Sequence, residues 1–103
     1  LLAAEAANED GRSAEALPWL NRVRQRAGLD PVTTTDQAAL RDIIKKERRA
    51  EFAMEYERFF DLVRWGDAVE ELSELGYQNK HRYFPIPTPA LNANPKLTQN
   101  PEW

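Results

Sequence analysis

Five of the seven prolines crowd into the end of the chain, at Pro85, Pro87, Pro89, Pro95 and Pro101. Proline has no backbone N–H, fixes its own φ, and biases the residue before it toward extended backbone. The run Tyr83-Phe84-Pro85-Ile86-Pro87-Thr88-Pro89 is therefore barred from helix, and the regular structure of the chain has to be built before Gly76. The proline-rich end is more than a linker. Tyr83, Phe84, Ile86, Leu91, Leu97 and Trp103 give it apolar groups to bury. An ordered, irregular, turn-rich tail over 77–103, wrapping over the helices, is expected.

Residues 1–76 carry helical signals and no strand alternation. Leu1 to Glu9 is rich in alanine and leucine, both strong helix formers, and Asp10-Gly11 is a stop. Leu17, Leu20, Val23 and Ala27 then recur at three or four, one face of a second helix that Gly28 ends in a left-handed cap. Ser13 is a candidate N-cap. Pro18 would cost that helix a hydrogen bond, which favours a start nearer Leu17. Thr35 or Asp36 can cap a third helix bearing Leu40, Ile43 and Ile44. Leu62, Val63 and Trp65 belong to it or to a helix after a break near Glu57. A last helix over Asp67 to Leu75 would end at Gly76. The expected fold is all-α: a helical hairpin, further helices, and the irregular tail, forming a single segment over 1–103.

Composition excludes several functions. With 14 basic and 17 acidic residues the formal charge is -3, the wrong sign for general affinity to nucleic acid. There is no cysteine, so disulfides, thiolate metal sites and cysteine nucleophiles are absent. No apolar run approaches the roughly 20 residues of a membrane-spanning helix. The opening Leu1-Leu2-Ala3-Ala4-Glu5-Ala6-Ala7 has no initiator Met and reads like the middle of a helix, as expected of a piece of a longer protein.

The third helix holds the one constellation that resembles a site. Glu47, Glu51 and Glu55 follow at intervals of four and share a face continuing the apolar stripe, with Arg48, Arg49, Arg58, Asp61 and Arg64 close by in sequence. Carboxylates so spaced would suit a metal or general acid/base chemistry. A structural ion network is the competing reading, in which arginine forks neutralise carboxylates beside a core. As many arginines as carboxylates stand nearby, and a dinuclear carboxylate site usually adds histidines, whereas the only histidine is His81. Glu47, Arg48, Glu51, Arg58, Asp61 and Arg64 are therefore assigned to a structural network, with no catalytic, cofactor or metal residue. On that view Arg58→Ala should destabilise the chain more than Arg24→Ala, because Arg22 to Arg26 looks like the polar face of its helix.

Other candidates are weaker. Gly28, Gly66 and Gly76 stand alone and make no phosphate-cradling loop. Ser13 and Ser73 lack a histidine partner. Trp19, Trp65, Trp103 and the tyrosines have faces suited to sugar rings, although aromatic residues more often pack in cores.

Three ordered segments go further. Leu20-Asn21-Arg22-Val23-Arg24-Gln25-Arg26-Ala27-Gly28-Leu29 is the first. The second is Ile44 to Glu55 (IKKERRAEFAME) followed by Arg58 to Gly66 (RFFDLVRWG). The third is Phe84-Pro85-Ile86-Pro87 followed by Asn94 to Pro101 (NPKLTQNP). They resemble the LNxVRxRAGL, ERRxELAFEGxRWFDLVRWG and FPIPxxEIxxNPxLxQNPGY segments of the SusD/RagB family, in order and spacing, from Leu20 to the end. Tyr56 departs from the pattern, standing where the family usually has glycine; Pro89-Ala90-Leu91 and Glu102-Trp103 also differ.

The resemblance implies a C-terminal scaffold of a longer nutrient-binding protein, with tetratricopeptide-like helix pairs beside a more irregular lobe. Such proteins are lipid-anchored at the outer membrane, facing the cell surface, and capture oligosaccharides or other nutrients for a TonB-dependent transporter. They are not enzymes and need no cofactor. Ligand contacts in the family are variable, so no ligand-binding residue is carried over. Two other readings remain at this point. A helical-repeat protein-interaction module would explain Leu1–Leu29 but not the tail, and a carboxylate-metal hydrolase would rest on the glutamate stripe alone.

Overall fold

The computed structural model describes all 103 residues and is all-α, with no strand. The chain divides into two compact units, Leu1–Tyr56 and Glu57–Trp103.

The first unit holds α1 (Leu2–Glu9), α2 (Ser13–Arg26) and α3 (Gln37–Glu51). α1 and α2 form a hairpin across Asp10-Gly11-Arg12. Alanines make its seam: Ala4 and Ala7 of α1 and Ala16 of α2 are buried, so the backbones approach closely, and Leu20, Leu40 and Ile44 fill the space toward α3. Leu1, Leu17, Val32 and Ile43 close the edge of this core. Each of the fully buried Leu20, Leu40 and Ile44 contributes about 1.5–3 kcal/mol of apolar transfer.

α2 starts earlier than its proline suggests. Ser13 is already helical, no side chain caps the helix, and Pro18 lies inside it. The carbonyl that Pro18 leaves without a helical donor is tolerated because Ser13, Ala16 and Leu20 are buried on one face of the hairpin, so packing outweighs one lost bond. At the other end Gly28 has φ +73, its N–H donates to the Gln25 carbonyl, and Leu29 N–H donates to the Arg24 carbonyl. This is the Schellman ending, and the left-handed position costs a glycine little. Asp36, not Thr35, caps α3: its Oδ1 accepts from Ala39 N–H at 2.7 Å.

A buried polar node joins the three helices. The fully buried Asn8 of α1 accepts from Ser13 Oγ at 2.8 Å and donates through Nδ2 to the Gln37 carbonyl at 3.0 Å. Gln37 Nε2 returns a bond to the Asn8 carbonyl at 2.6 Å. Every member has partners, as burial of an amide demands. Similarly, Asn21 Nδ2 donates to the Val32 carbonyl and its Oδ1 accepts from Val32 N–H, both at 2.8 Å, so one side chain holds the α2–α3 connection as a neighbouring strand would.

The unit ends in a turn at 52–56, where Met54 (φ +68) and Tyr56 (φ +64) are left-handed. Helix stops at Glu51 and α4 begins at Glu57, so these are separate helices although glycine is missing from the turn.

The second unit contains α4 (Glu57–Trp65), α5 (Ala68–Leu72), 3-10 turns at Ser73–Leu75 and Asn79–Arg82, and α6 (Thr88–Ala93). The helix expected over Asp67 to Leu75 thus starts one residue later and tightens to 3-10 geometry before left-handed Gly76. α6 corrects the expectation of a helix-free tail. Pro89 sits in its first turn, where no backbone N–H is required and the fixed φ of proline already suits the helix.

The tail is ordered by side-chain amides. Gln99 accepts from Ile86 N–H at 2.8 Å and donates to the Ile86 carbonyl at 2.9 Å, and Asn100 Nδ2 donates to the Phe84 carbonyl at 2.6 Å. The QNP segment thereby supplies the hydrogen bonds that prolines on either side of Ile86 cannot. Trp103 Nε1 donates to the carbonyls of Lys80 and Tyr83, and its ring meets His81 and the Lys80 ammonium. Rings continue from His81 through Tyr77 to Phe59.

Candidate functional site

In the first unit the charged residues of α3 reach back to the helical hairpin. Glu47 Oε2 accepts from Arg24 Nη1 at 2.7 Å, with side chains only 8% and 20% exposed. Arg24 also donates through Nε to the Asp30 carbonyl at 2.8 Å, so one guanidinium ties α2, α3 and their connection. Glu51 pairs with Arg26 of α2. Arg48 is buried, lies 3.9 Å from Glu5 of α1, and stacks over the Phe52 ring at 4.9 Å. Arg41 holds Glu9 of α1 by two bonds of 2.6 and 2.7 Å. This fork lowers the Glu9 pKa below its ordinary value and raises that of Arg41.

In the second unit Asp61 is buried and accepts from Arg64 at 2.9–3.0 Å. Arg58 donates to Glu71 of α5 at 3.0 Å, a more open pair at 33% and 46% exposure. The six residues picked from the sequence therefore separate into Glu47, Arg48 and Glu51 facing α1 and α2, and Arg58, Asp61 and Arg64 within α4 and toward α5. Glu55 is exposed and shares no site with Glu47 and Glu51, and no three of His, Cys, Asp or Glu gather as metal ligands.

The sequence reading missed Arg24, Arg26 and Glu5, the partners of α3. A signal existed: Arg22 and Arg24 point to opposite sides of a helix, so both could not lie on its solvated face.

The second unit also has a concave surface. A cavity of about 270 Å³ lies between the end of α4 and the Asn79–Arg82 turn, with Trp65, Val69 and Tyr77 in its walls and Arg64, Asn79 and Arg82 among its polar groups. The Schellman ending at Gly66 turns the chain there: Gly66 N–H donates to the Val63 carbonyl and Asp67 N–H to the Leu62 carbonyl. The Arg64 guanidinium lies over the Trp65 indole at 4.9 Å and that of Arg82 over Tyr83 at 5.2 Å. Aromatic faces and guanidinium groups thus share one concave surface.

The architecture defines a class: a helical scaffold, cross-tied by arginine–carboxylate pairs, whose proline-rich tail is held by amide side chains. Residues 1–81 match the SusD family, and the chain belongs to it. It is 34% identical to SusD-like protein P25 and 36% identical to SusD-like protein P38, both of Formosa agariphila, in each case over 97% of this chain. Among solved structures it resembles a SusD superfamily protein from Bacteroides vulgatus (TM-score 0.87, 31% identity) and a SusD-like protein from Bacteroides fragilis (TM-score 0.84, 29% identity), again over 97% of this chain. The chain spans 21–25% of the length of these four proteins.

Proposed function

We propose that this chain is the C-terminal scaffold of a surface nutrient-binding protein, one that captures glycans and passes them to a TonB-dependent outer-membrane transporter. The observation that carries the reading is the sustained likeness to SusD-like proteins, 34–36% identity over 97% of the chain. The protein acts by binding and not by catalysis, and it is held at the outer membrane by a lipid on a segment outside this chain. No helix here is long and apolar enough to cross a membrane.

In this reading Glu47, Arg48, Glu51, Arg58, Asp61 and Arg64 serve architecture. Their ion pairs fix the angle of α3 against a tetratricopeptide-like hairpin and brace α4, giving the rest of the protein a rigid base. The test uses the full-length protein in its native membrane. Affinity purification should bring down a TonB-dependent transporter, and the purified protein should retain an oligosaccharide on an array. Recovery without a transporter and without any retained glycan would overturn the proposal.

A further inference from the structure

We propose that the cavity between α4 and the Asn79–Arg82 turn binds a single sugar ring carrying a carboxylate, a hexuronate unit, with Arg82 as the fork for the acid group. Several amides of the chain are spent on its own backbone: Asn8 and Gln37 hold each other's carbonyls, Asn21 holds Val32 and Gln99 holds Ile86. Around this cavity three polar groups stay open. The half-buried Tyr77 hydroxyl and the exposed Asn79 carboxamide and Arg82 guanidinium have no hydrogen-bond or ion-pair partner within this chain, and all three line one concavity.

Charge sharpens the choice of ligand. No carboxylate lines the cavity. Arg64 is balanced by Asp61 at 2.9 Å, which leaves Arg82 as the uncompensated cation. A planar guanidinium matches a planar carboxylate through two parallel N–H···O bonds, and stacking on Tyr83 at 5.2 Å restrains the Arg82 side chain beforehand. A concave wall focuses that single positive charge. Beside it, Val69 and the part of Trp65 that Arg64 leaves uncovered offer the apolar surface that the C–H face of a pyranose covers, while Asn79 and Tyr77 can donate to and accept from ring hydroxyls.

Size limits the ligand. At about 270 Å³ the cavity is smaller than the roughly 300–1,000 Å³ of sites for drug-sized ligands, so it takes one ring and not a chain segment. The sugar part of this inference rests on the glycan-capture reading; the preference for a carboxylate rests on the cavity alone.

The experiment titrates D-glucuronate into the isotope-labelled full chain at neutral pH, following the Trp65 indole N–H and the Arg82 side-chain N–H by NMR. D-glucose, the uncharged methyl ester of glucuronate and acetate are run in parallel. Both signals should shift saturably in the millimolar range with glucuronate, with glucose and the ester about tenfold weaker or more, as loss of a charged hydrogen bond requires. Arg82→Ala should weaken glucuronate by a similar factor without moving the melting temperature, and Arg82→Lys should fall between, keeping the charge but losing the fork. Unmoved signals, equal binding of the ester, or an Arg82→Ala chain that binds like the parent would overturn the proposal. Acetate binding as tightly as glucuronate would overturn the sugar. A full-length protein that retains neutral glycan while glucuronate leaves Trp65 and Arg82 silent overturns this inference and leaves the capture reading standing. Glucuronate bound here by a full-length protein that brings down no transporter and retains no oligosaccharide on the array does the reverse.

Discussion

Arg24→Ala tests the cross-tied scaffold most directly. The Arg24–Glu47 pair joins α2 to α3 and is both short and largely buried, at 2.7 Å and 20% and 8% side-chain exposure. Removing one member of a fully buried pair costs about 3–5 kcal/mol, because the other charge is left without a partner. Arg24 keeps some contact with water, which lowers the expected loss to about 2–3 kcal/mol; the forfeited bond to the Asp30 carbonyl is included in that figure. Glu47→Gln retains shape and one acceptor, so its cost should be smaller, about 1–2 kcal/mol. Against a total stability of roughly 5–15 kcal/mol, the Arg24 effect is large.

Urea denaturation of the parent, both single variants and the double variant reads these numbers. With a slope of about 1–1.5 kcal/mol/M for a chain of this size, Arg24→Ala should lower the midpoint by about 2 M. The double variant should cost clearly less than the sum of the singles, with a coupling of about 1 kcal/mol or more. Arg22→Ala, on the exposed side of α2, is the control and should stay within about 0.5 kcal/mol. Arg58→Ala should cost less than Arg24→Ala, since Glu71 is 46% exposed and open ion pairs contribute about 0.2–1 kcal/mol. That order reverses the one the sequence suggests. An Arg24→Ala loss no larger than that of Arg22→Ala, or additive singles, would refute the reasoning.

Tyr56→Gly should stabilise the chain by about 0.5–1 kcal/mol: the left-handed position costs a non-glycine residue about 1–2 kcal/mol, and the added freedom of the unfolded glycine takes back part of it. A lowered melting temperature would show that the exposed Tyr56 ring contributes contacts that outweigh its strain. Gln99→Ala removes the bonds to Ile86 N–H and carbonyl and to Asn100 N–H, so hydrogen exchange at Ile86 should accelerate at least about tenfold while Leu40 in the core stays protected. Equal protection before and after would mean that the tail is held by its rings alone. For Glu9 the folded pKa lies below the ordinary 4.5, so its pair with Arg41 adds stability above the unfolded value and loses it as pH falls through the folded one. Glu9→Gln should therefore flatten the stability profile in the acid range below about pH 4.5, and added salt should shrink the difference because the pair is open to solvent. An unchanged acid limb would contradict it.

Much of the helical outline was legible because it is local. Apolar spacing, the alanine run and the glycine stops are written within one or two turns, and Asp36 caps α3 through a bond to a residue only three positions on. The misplacements came where a long-range term overrode a local one. Pro18 argued for a late start to α2, yet the buried seam of Ser13, Ala16 and Leu20 keeps the first turns helical. Pro89 argued against helix, yet in a first turn its missing N–H costs nothing.

The charged set shows the same division. Composition and spacing favoured an arginine–carboxylate network, but did not say who pairs with whom. Glu47 finds Arg24 across 23 residues, and Asn8 finds Gln37 across 29. Such partners are adjacent only after the helices have packed, and no periodicity encodes them. By itself the sequence determined an all-α chain with an ordered proline-rich end and, through its ordered motifs, its kinship. Only the tertiary structure decided which charges are buried, which amides stand in for missing backbone bonds, and which polar groups around Arg82 are left open. Helix formation is settled over a few residues, whereas pairing and burial depend on where distant segments come to rest.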